Sequence, residues 1–369
     1  MMIMQVLLAF IIVVVVQVLI YRYFAFRGFS YTCTLLRSRV YEGEMTEMLE
    51  VIENRKLLPL LWVKIETRFS ETFLFAKNNE TRVWAGVFHR SVLTAPPLRR
   101  IKRTYKIVCT KRGYYPVGSA SVTTGDLFGL SSYPGSYSSD TGVHVCPTPL
   151  HRTEFNLPSR SFSGDVVVRR YFLPDPFMPS GIRNYSPSDP LKLINWKATA
   201  KTGNIVVHRN DFTANSNLLV FFNIDYSATY WDMGDTEKAQ TMENSIRILA
   251  TILDISIQNG QQTALRTNAV SLRDGSEVSV PSAVGSMHRD ALYMAMAEIQ
   301  FVRSRNFHML LRESAETVRD SDVLLMTKYM TKEISVEIEN LRLAGNKVEV
   351  LELPDAVNVH HSAGGEISA

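Results

Sequence analysis

The pattern of apolar and polar positions divides the chain into three regions, and the first of them is strongly apolar. Residues 1–20 carry no charged side chain, and the hydrophobic stretch VLLAFIIVVVVQVLIYRYF extends from Val6. About 20 apolar residues are enough to cross the hydrocarbon core of a bilayer as a helix. The run therefore predicts a transmembrane anchor over residues 1–24.

A secretory signal peptide is the alternative interpretation of this segment. Signal peptides have a basic region at the start, a shorter apolar core and small residues at the cleavage site. No basic side chain precedes the run, and aromatic residues stand where small ones would be needed, at Tyr21, Tyr23, Phe24 and Phe26. An uncleaved anchor is therefore favoured.

The distribution of charge around the span predicts its orientation. Basic side chains follow the apolar run closely, at Arg22, Arg27, Arg37 and Arg39. Because positive charge is retained on the cytoplasmic side of membranes, a single-pass protein of the cell membrane with a cytoplasmic C-terminal body is expected. The three cysteines are widely spaced and form neither a disulfide framework nor a metal-ligand motif, which agrees with a reducing compartment.

The second region, residues 38–150, has the pattern of short strands. Its segments, such as TRVWAGVFHRSVL, are rich in β-branched and aromatic residues and are broken by Gly and Pro. Several short strands with turn signals between them predict a small all-β sandwich. Residues 131–164 are dense in Ser, Gly, Pro and Thr and predict the connection between domains, with the linker placed at 151–181 and a short strand at 143–146.

The third region, residues 182–354, alternates between strand and helix patterns. The continuous apolar runs LLVFFNI and DVLLMT are typical of strands buried on both faces. Helices are predicted for TEKAQTMENSIRILATILDISIQ, which ends at Gly260, for MHRDALYMAMAEIQFV and for TKEISVEIENLRLAG. This alternation predicts an α/β domain with a largely parallel sheet. Residues 355–369 are polar and Gly-rich and are predicted to be disordered.

The most specific motif opens this third region, in the block IRNYSPSDPLKLINWKATAKTGNIVVHR. Asp189 is placed as a helix N-cap, with Pro190 at the first helical position. Leu191, Ile194 and Ala198 then recur at helical spacing, and Gly203 is predicted to end the helix.

This block resembles the signature of the domain of unknown function 58 family. Further matches are EGE at 42–44, NRKLLPL from Asn54, KRGYY from Lys111 and DLFGL from Asp126, where relatives usually have Pro in the place of Leu127. The resemblance implies a von Willebrand factor A-like fold for residues 182–354. It also implies partnership with a MoxR-type AAA+ ATPase, with the chain as a non-catalytic, membrane-anchored adaptor in the assembly of membrane-associated complexes.

Two interpretations apply to the polar and aromatic residues of the signature, Arg183, Tyr185, Asp189, Lys192 and Trp196. They could form a recognition surface, since Tyr, Trp and Arg dominate binding hot spots. Alternatively they form a structural clasp in which Asp189 caps the helix and Trp196 packs on the sheet. The clasp is favoured, because a helix cap already accounts for Asp189.

A candidate Mg²⁺ site follows the first buried strand, at Asp225, Ser227 and Thr229. A carboxylate followed by hydroxyls supplies the oxygen ligands that Mg²⁺ prefers, and the pattern resembles the metal-ion-dependent adhesion site of von Willebrand factor A domains. The position after DVLLMT, where that site needs a second Asp, is Lys328. An ammonium there would repel a dication and pair with Asp225, so a degenerate site without a bound cofactor is predicted.

The remaining features narrow the class of function. A net charge of +4 suits a protein near an anionic membrane better than a dedicated nucleic-acid binder. The basic residues between Arg99 and Arg112 could form a positive stripe toward lipid head groups or an acidic partner, or a solvated edge strand. No phosphate loop, zinc-ligand spacing or nucleophile elbow occurs, so a non-enzymatic protein is predicted. An extracytoplasmic, metal-dependent adhesion protein is the main alternative, and a metal-dependent hydrolase is the third.

Overall fold

The computed structural model describes residues 2–75, 82–84, 88–138, 141–150, 179–186, 194–210, 217–227 and 236–353. Within it the chain forms two compact units, Met1–Cys146 and Pro147–Ala369. Residues 151–178 of the predicted linker and the predicted disordered tail lie outside the described residues.

The N-terminal unit consists of one long helix and a β-rich body. Its elements are α1 (Met2–Phe24), β1 (Phe29–Leu35), β2 (Arg39–Tyr41), β3 (Met45–Asn54), β4 (Leu60–Arg68), β5 (Phe73–Phe75), β6 (Arg82–Trp84), β7 (Phe88–Ala95), β8 (Arg99–Cys109), β9 (Gly113–Pro116), β10 (Ala120–Gly125), β11 (Ser132–Tyr137) and β12 (Gly142–Cys146). The first strand begins at Phe29, ahead of the predicted domain start at residue 38.

The strands of this unit form three sheets, with the orders β1-β3-β8-β5, β11-β10-β4-β7-β6 and β2-β12-β9. All their pairings are antiparallel except that of β2 with β12. Burial alternates along β3 and β4, as expected for strands with one face in the core. Ile52, Ile65, Ile107 and Val122 come from four strands of the two larger sheets and lie in one hydrophobic core.

Residues 131–164 were predicted to be a connection with one short strand at 143–146; the structure has β12 there and a second strand, β11, which was not predicted. Pro134 and Gly135 are typical of loops, but β11 is the edge strand of its sheet, where Pro is tolerated because one side needs no hydrogen bonds. A Cβ atom at Gly135 would lie 2.9 Å from the ring of Phe26. Glycine therefore allows the ring to pack directly on the strand.

The C-terminal unit combines a six-stranded sheet with helices. Its elements are β13 (Pro179–Asn184), α2 (Trp196–Thr202), β14 (Val206–Asn210), β15 (Asn217–Phe222), α3 (Thr236–Gln258), β16 (Gln262–Ser271), β17 (Glu277–Ala283), α4 (Ser286–Glu298), β18 (Ile299–Arg303), α5 (Phe307–Thr317), β19 (Asp322–Thr327), α6 (Lys332–Leu343) and β20 (Lys347–Glu352). The strand order is β17-β16-β15-β19-β20, with β18 also paired to β16.

The sheet of the C-terminal unit contains both parallel and antiparallel strands. β15, β16, β19 and β20 are parallel, whereas β17 and β18 run antiparallel to β16. Every residue of β19 is buried, which confirms the prediction for DVLLMT. Of the predicted core face of α3, Met242, Ile246, Leu249 and Leu253 are buried.

Two segments of this unit differ from the prediction. The helix predicted for MHRDALYMAMAEIQFV ends at Glu298, and IQFV is part of β18, because its alternating apolar residues pair with β16. The helix α5 was not predicted. It buries Phe307, Leu310, Leu311 and Ser314 on one face.

Candidate functional site at the carboxyl edge of the parallel sheet

Three strands bring amide and hydroxyl side chains together where they end. Asn223 follows β15, Asn268 lies near the end of β16, and Thr327 ends β19; all three are fully buried. The Asn223 Nδ2 group donates to Thr327 Oγ1 at 3.1 Å, and the Asn268 Nδ2 group donates to Asn223 Oδ1 at 3.1 Å. Because parallel strands end at one edge, residues distant in sequence form a single hydrogen-bonded network there.

Asp225 continues this network toward the surface and is itself buried. Its Oδ2 atom accepts a hydrogen bond from Asn268 Nδ2 at 3.2 Å, and its Oδ1 atom lies 3.0 Å from the Arg303 Nε group. Arg303 ends β18, and 22% of its side chain is exposed. We call Asn223, Asp225, Asn268, Arg303 and Thr327 the carboxyl-edge cluster.

Burial raises the pKa of Asp225, and the neighbouring Arg303 guanidinium opposes that rise by favouring the carboxylate. Hydrogen bonds from Asn268 and Tyr329 act in the same direction as Arg303. The phenol of Tyr329 also has a raised pKa, chiefly because it is buried and secondarily because Asp225 is close. The cluster thus contains a buried carboxylate, that of Asp225, next to the guanidinium of Arg303, which is partly exposed to solvent.

This geometry changes the interpretation of the predicted metal site. Asp225 and Ser227 are described, whereas Thr229 lies outside the described residues. The cation at Asp225 is Arg303, where the sequence had indicated Lys328; the Lys328 ammonium instead donates to the Leu353 carbonyl oxygen at 3.1 Å. The Arg303 guanidinium is thus bonded to the one carboxylate that the predicted metal site would use.

Within the described part of the chain, no group of three or more His, Cys, Asp or Glu side chains is placed to hold a metal ion. In the carboxyl-edge cluster only one carboxylate is present, and amides and an arginine surround it. Hard divalent cations are bound by several oxygen ligands with negative charge. The arrangement places one partly exposed guanidinium, that of Arg303, at the carboxyl edge of the sheet.

The family signature folds as a small separate element of the C-terminal unit. β13 and β14 pair in antiparallel fashion. Ile194, which lies between these strands in the sequence, forms an isolated β-bridge with Val207 of β14. The helix α2 begins at Trp196 with Asn195 as its N-cap, whose Oδ1 accepts from Ala198 N at 2.9 Å. Gly203 ends the helix with φ of 73°, as predicted.

The predicted helix start is therefore wrong in one respect, because Ile194 is in a β-bridge and is not helical. Asp189 and Lys192 lie outside the described residues, and of Arg183 only the backbone is described. Tyr185 is half-buried, and its backbone N–H donates to the Ile205 carbonyl oxygen at 2.9 Å.

The exposure of Trp196 contradicts one part of the predicted clasp, the packing of its ring on the sheet. The other parts, the Asp189 cap and a pairing of the Arg183 side chain, lie outside the described residues. The Trp196 side chain is 68% exposed, at the first turn of α2. Trp is enriched among binding hot spots, so this exposure agrees with the other prediction for the signature, a recognition surface.

Residues 181–365, which contain the signature, the parallel sheet and the carboxyl-edge cluster, match the family described as "Protein of unknown function DUF58". The chain belongs to the DUF58 family. A curated relative, the uncharacterized protein YeaD of Bacillus subtilis strain 168, is 20% identical over 347 residues, covering 90% of this chain and 79% of YeaD.

Among solved structures, this DUF58 protein is similar to a cohesin module from Clostridium perfringens, with 13% identity, 32% of this chain and 98% of the module covered, and a TM-score of 0.23. It is also similar to BslA, a bacterial hydrophobin, with 11% identity, 33% of this chain and 97% of BslA covered, and a TM-score of 0.22. These scores are too low for either likeness to support a shared fold or function.

The basic run of this DUF58 protein faces carboxylates instead of forming a free positive stripe. Along β8, Arg100 lies opposite Glu53 of β3, Arg103 opposite Glu50, and Lys106 opposite Glu47. The Arg100 Nη2 atom is 3.7 Å from Glu53 Oε2. Cross-strand pairs of opposite charge stabilise a sheet, so much of this charge is used within the N-terminal unit.

Sequence reasoning missed Arg303 and Asn268. Arg303 lies 78 positions from Asp225, and no local spacing links the two. The segment LRTNAV carries Arg266 and Thr267 beside Asn268, so the sequence did not single out this amide. Its need for hydrogen-bond partners follows from its complete burial in the structure.

Proposed function

We propose that this DUF58 protein is a membrane-anchored, non-catalytic adaptor that binds a MoxR-type AAA+ ATPase through its C-terminal unit. The observation that carries the membrane-anchored part of the proposal is α1, and the ATPase partner is what the family resemblance implies. This helix of 23 residues has a mean hydropathy of 3.0 in its most apolar window, and only 6% of that window is buried. At about 1.5 Å per residue it is about 34 Å long, which matches the roughly 30 Å hydrocarbon core of a bilayer.

The end of α1 supports the proposed orientation. Arg22 and Arg27 are exposed just beyond the apolar positions, and the Arg27 Nη2 group donates to Tyr23 Oη at 2.8 Å. A tyrosine and arginines at the end of a span are typical of the membrane–water interface on the cytoplasmic side. We therefore propose that both units lie in the cytoplasm.

The C-terminal unit offers two features suited to a protein partner. Trp196 is exposed in the family signature, and Arg303 reaches solvent from the carboxyl-edge cluster. The parallel strands β15, β16, β19 and β20, with helices between them, support the von Willebrand factor A-like fold that the family resemblance implies. The Arg303–Asp225 pair favours a metal-independent contact.

The binding part is tested with the detergent-solubilised full chain and the purified MoxR-type ATPase of the same organism. We expect Trp196→Ala to weaken binding at least about tenfold, as hot-spot truncations that cost ~1.4 kcal/mol or more do. Met287→Ala is the matched control, since Met287 is an exposed apolar residue on α4. Equal affinities for the wild type and both variants, or no binding by the wild type, would refute the adaptor role.

The orientation is tested with reporter fusions at residue 369. A reporter that is active only in the cytoplasm should be active, and one that is active only after export should be silent. The reverse pattern would place the body outside the cytoplasm and favour the adhesion-type alternative.

A further inference from the structure

The segment Asp126–Leu130, DLFGL, forms a tight turn between β10 and β11, and we call it the 126–130 turn. The Asp126 side chain is fully buried, and its Oδ1 atom accepts from Leu130 N at 2.8 Å. Gly129 N donates to the Asp126 carbonyl oxygen at 3.3 Å, and Gly129 adopts φ of 70°, which suits glycine. The backbone is thus fixed with its apolar side chains directed outward.

Those side chains are large and open to the surroundings. Phe128 is 57% exposed and Leu130 is 65% exposed, and Leu127 is exposed as well. Three bulky apolar side chains on one short turn are an apolar patch, and an ordered patch of this kind marks an interaction site.

The turn is hydrogen-bonded to α1, which fixes where along the helix it lies. The Gln17 Nε2 group donates to Asp126 Oδ2 at 3.1 Å, and Leu127 N donates to Gln17 Oε1 at 3.3 Å. The Tyr133 hydroxyl of β11 donates to the Val18 carbonyl oxygen at 3.1 Å. The turn is therefore at the level of Gln17 and Val18 on the helix axis.

The apolar surface of α1 continues past this contact. Leu19 and Ile20 lie beyond Gln17 on the helix, and both are exposed. The first charged side chain of the helix is Arg22, roughly 8 Å beyond Gln17 along the axis at about 1.5 Å per residue. A hydrocarbon core that ends near Arg22 therefore includes the level of the turn.

We propose that the 126–130 turn inserts into the lipid bilayer beside α1, so that Leu127, Phe128 and Leu130 contact lipid. The proposal rests on the membrane anchoring proposed above, and its occupant is the bilayer because the turn is bonded to the anchor inside the depth that the anchor must span. The N-terminal unit is then seated on the membrane by two elements and has a fixed height above it.

A second loop supports this seating from the same side of the unit. The Tyr21 hydroxyl donates to the Pro59 carbonyl oxygen at 2.9 Å, and the exposed Leu57 lies in the same loop. Lys56, next to Leu57 in the chain, donates a hydrogen bond from Nζ to the carbonyl oxygen of Ala25, which follows the end of α1. A lysine and a leucine at the level of Tyr21–Ala25 suit the interface between lipid and water.

The test uses the full chain in vesicles of phosphatidylcholine and phosphatidylglycerol, with a nitroxide label on a cysteine at residue 130 or 36. Leu36 is the matched control because it is 70% exposed and follows the end of β1 that is farther from α1. The native Cys33, Cys109 and Cys146 are buried, so the introduced cysteines take the label. Collision rates with oxygen, which partitions into lipid, and with a water-soluble nickel chelate are measured at each site.

We expect the ratio of oxygen to nickel collision rates to be several-fold higher for Leu130→Cys than for Leu36→Cys, with Leu127→Cys like Leu130→Cys. Equal, water-exposed labels on protein that stays in the vesicles would overturn this proposal and leave the anchoring intact. A protected label at residue 130 that shows spin–spin broadening would assign the patch to a second copy of the chain and also overturn it. Protein that leaves the vesicles would refute the anchoring itself.

Discussion

The N-terminal and C-terminal units each bury an aspartate in a hydrogen-bonded cluster, and the two clusters differ in what they hold. The Asp126 carboxylate accepts hydrogen bonds from the side-chain amide of Gln17 and from the backbone N–H of Leu130. It therefore links the apolar helix α1 to a turn of the β-rich body. The Asp225 carboxylate accepts hydrogen bonds from the side-chain amide of Asn268 and from the guanidinium of Arg303, where three parallel strands end. The first cluster joins structural elements, whereas the second presents a cation to solvent.

The same group, a buried carboxylate, therefore has a different role in each unit, and the role depends on which elements surround it. Polar atoms in the N-terminal unit satisfy one another across elements far apart in sequence, such as Gln17 and Asp126, which are separated by 109 positions. In the C-terminal unit, the parallel strands gather their polar ends at one edge, where ligands of such sheets usually bind. The predictions below test the two clusters against each other.

The largest effect is expected for Arg303→Met. Removing the guanidinium leaves Asp225 buried without its cation, and breaking such a pair costs about 3 kcal/mol or more of the free energy of unfolding. The exposed Arg273 gives the control Arg273→Met, which should stay within about 0.5 kcal/mol of the wild type. Denaturant unfolding of the detergent-solubilised chain measures both, and equal stabilities would show that the pair is not structural.

Asp126→Ala should destabilise the N-terminal unit by about 2 kcal/mol. The substitution leaves the buried amide of Gln17 and the N–H of Leu130 without their acceptor. Asp126→Asn should be milder, because its remaining oxygen still accepts from Leu130. Thermal unfolding followed by tyrosine and tryptophan signals measures the loss, and an Asp126→Asn variant as unstable as Asp126→Ala would mean that charge, and not hydrogen bonding, matters there.

Asp225→Asn tests the charge of the second cluster through pH. Because burial raises the pKa of Asp225 in the folded state, the folded protein takes up a proton at a higher pH than the unfolded chain does. The stability of the wild type should therefore increase relative to Asp225→Asn as the pH falls from 7 toward 4, by at most about 1.4 kcal/mol per pH unit. A difference that stays constant over this range would contradict the raised pKa.

Glu50 provides the comparison in the N-terminal unit. Its pKa is also raised by burial, and Arg103 on the neighbouring strand opposes the rise. Glu50→Gln should show the same direction of pH dependence as Asp225→Asn when each is measured against the wild type. Opposite directions would show that the two carboxylates do not share one physical cause.

The smallest effect is expected at Lys56, beside the end of α1. Burial lowers the pKa of Lys56 to about 8, so the unfolded chain holds that proton to a higher pH than the folded protein does. Stability should therefore rise as the pH increases from 8 toward 10 in the wild type relative to Lys56→Met. Partial exposure weakens the effect, and parallel pH curves for the two proteins would contradict it.

The sequence was most informative where a pattern is local. The apolar run predicted α1, the continuous apolar strands predicted β15 and β19, and Gly203 predicted the end of α2. It was less informative where contacts are distant. The pairing of Asp225 with Arg303 depends on how β16 and β18 are placed, and the order of strands in a sheet is not written in the spacing of residues.

Two residues show the same limit. Gln17 lies within the apolar run that predicted the span, and nothing in the sequence near it indicated that its buried amide is paired with Asp126. The clasp was favoured because a helix cap accounts for Asp189, and it placed the Trp196 ring on the sheet, whereas Trp196 is exposed at the start of the short helix α2. In both cases the position of a neighbouring element decided the outcome.

The most direct test of the account is whether the chain is an integral membrane protein held by α1. Membranes from cells that produce the full chain are washed with alkaline carbonate, and the pellet and supernatant are compared for the wild type and for Ile12→Arg, which places a charge in the exposed apolar part of the helix. The account predicts that the wild type stays in the pellet and that Ile12→Arg is at least partly released. Release of the wild type into the supernatant would contradict it.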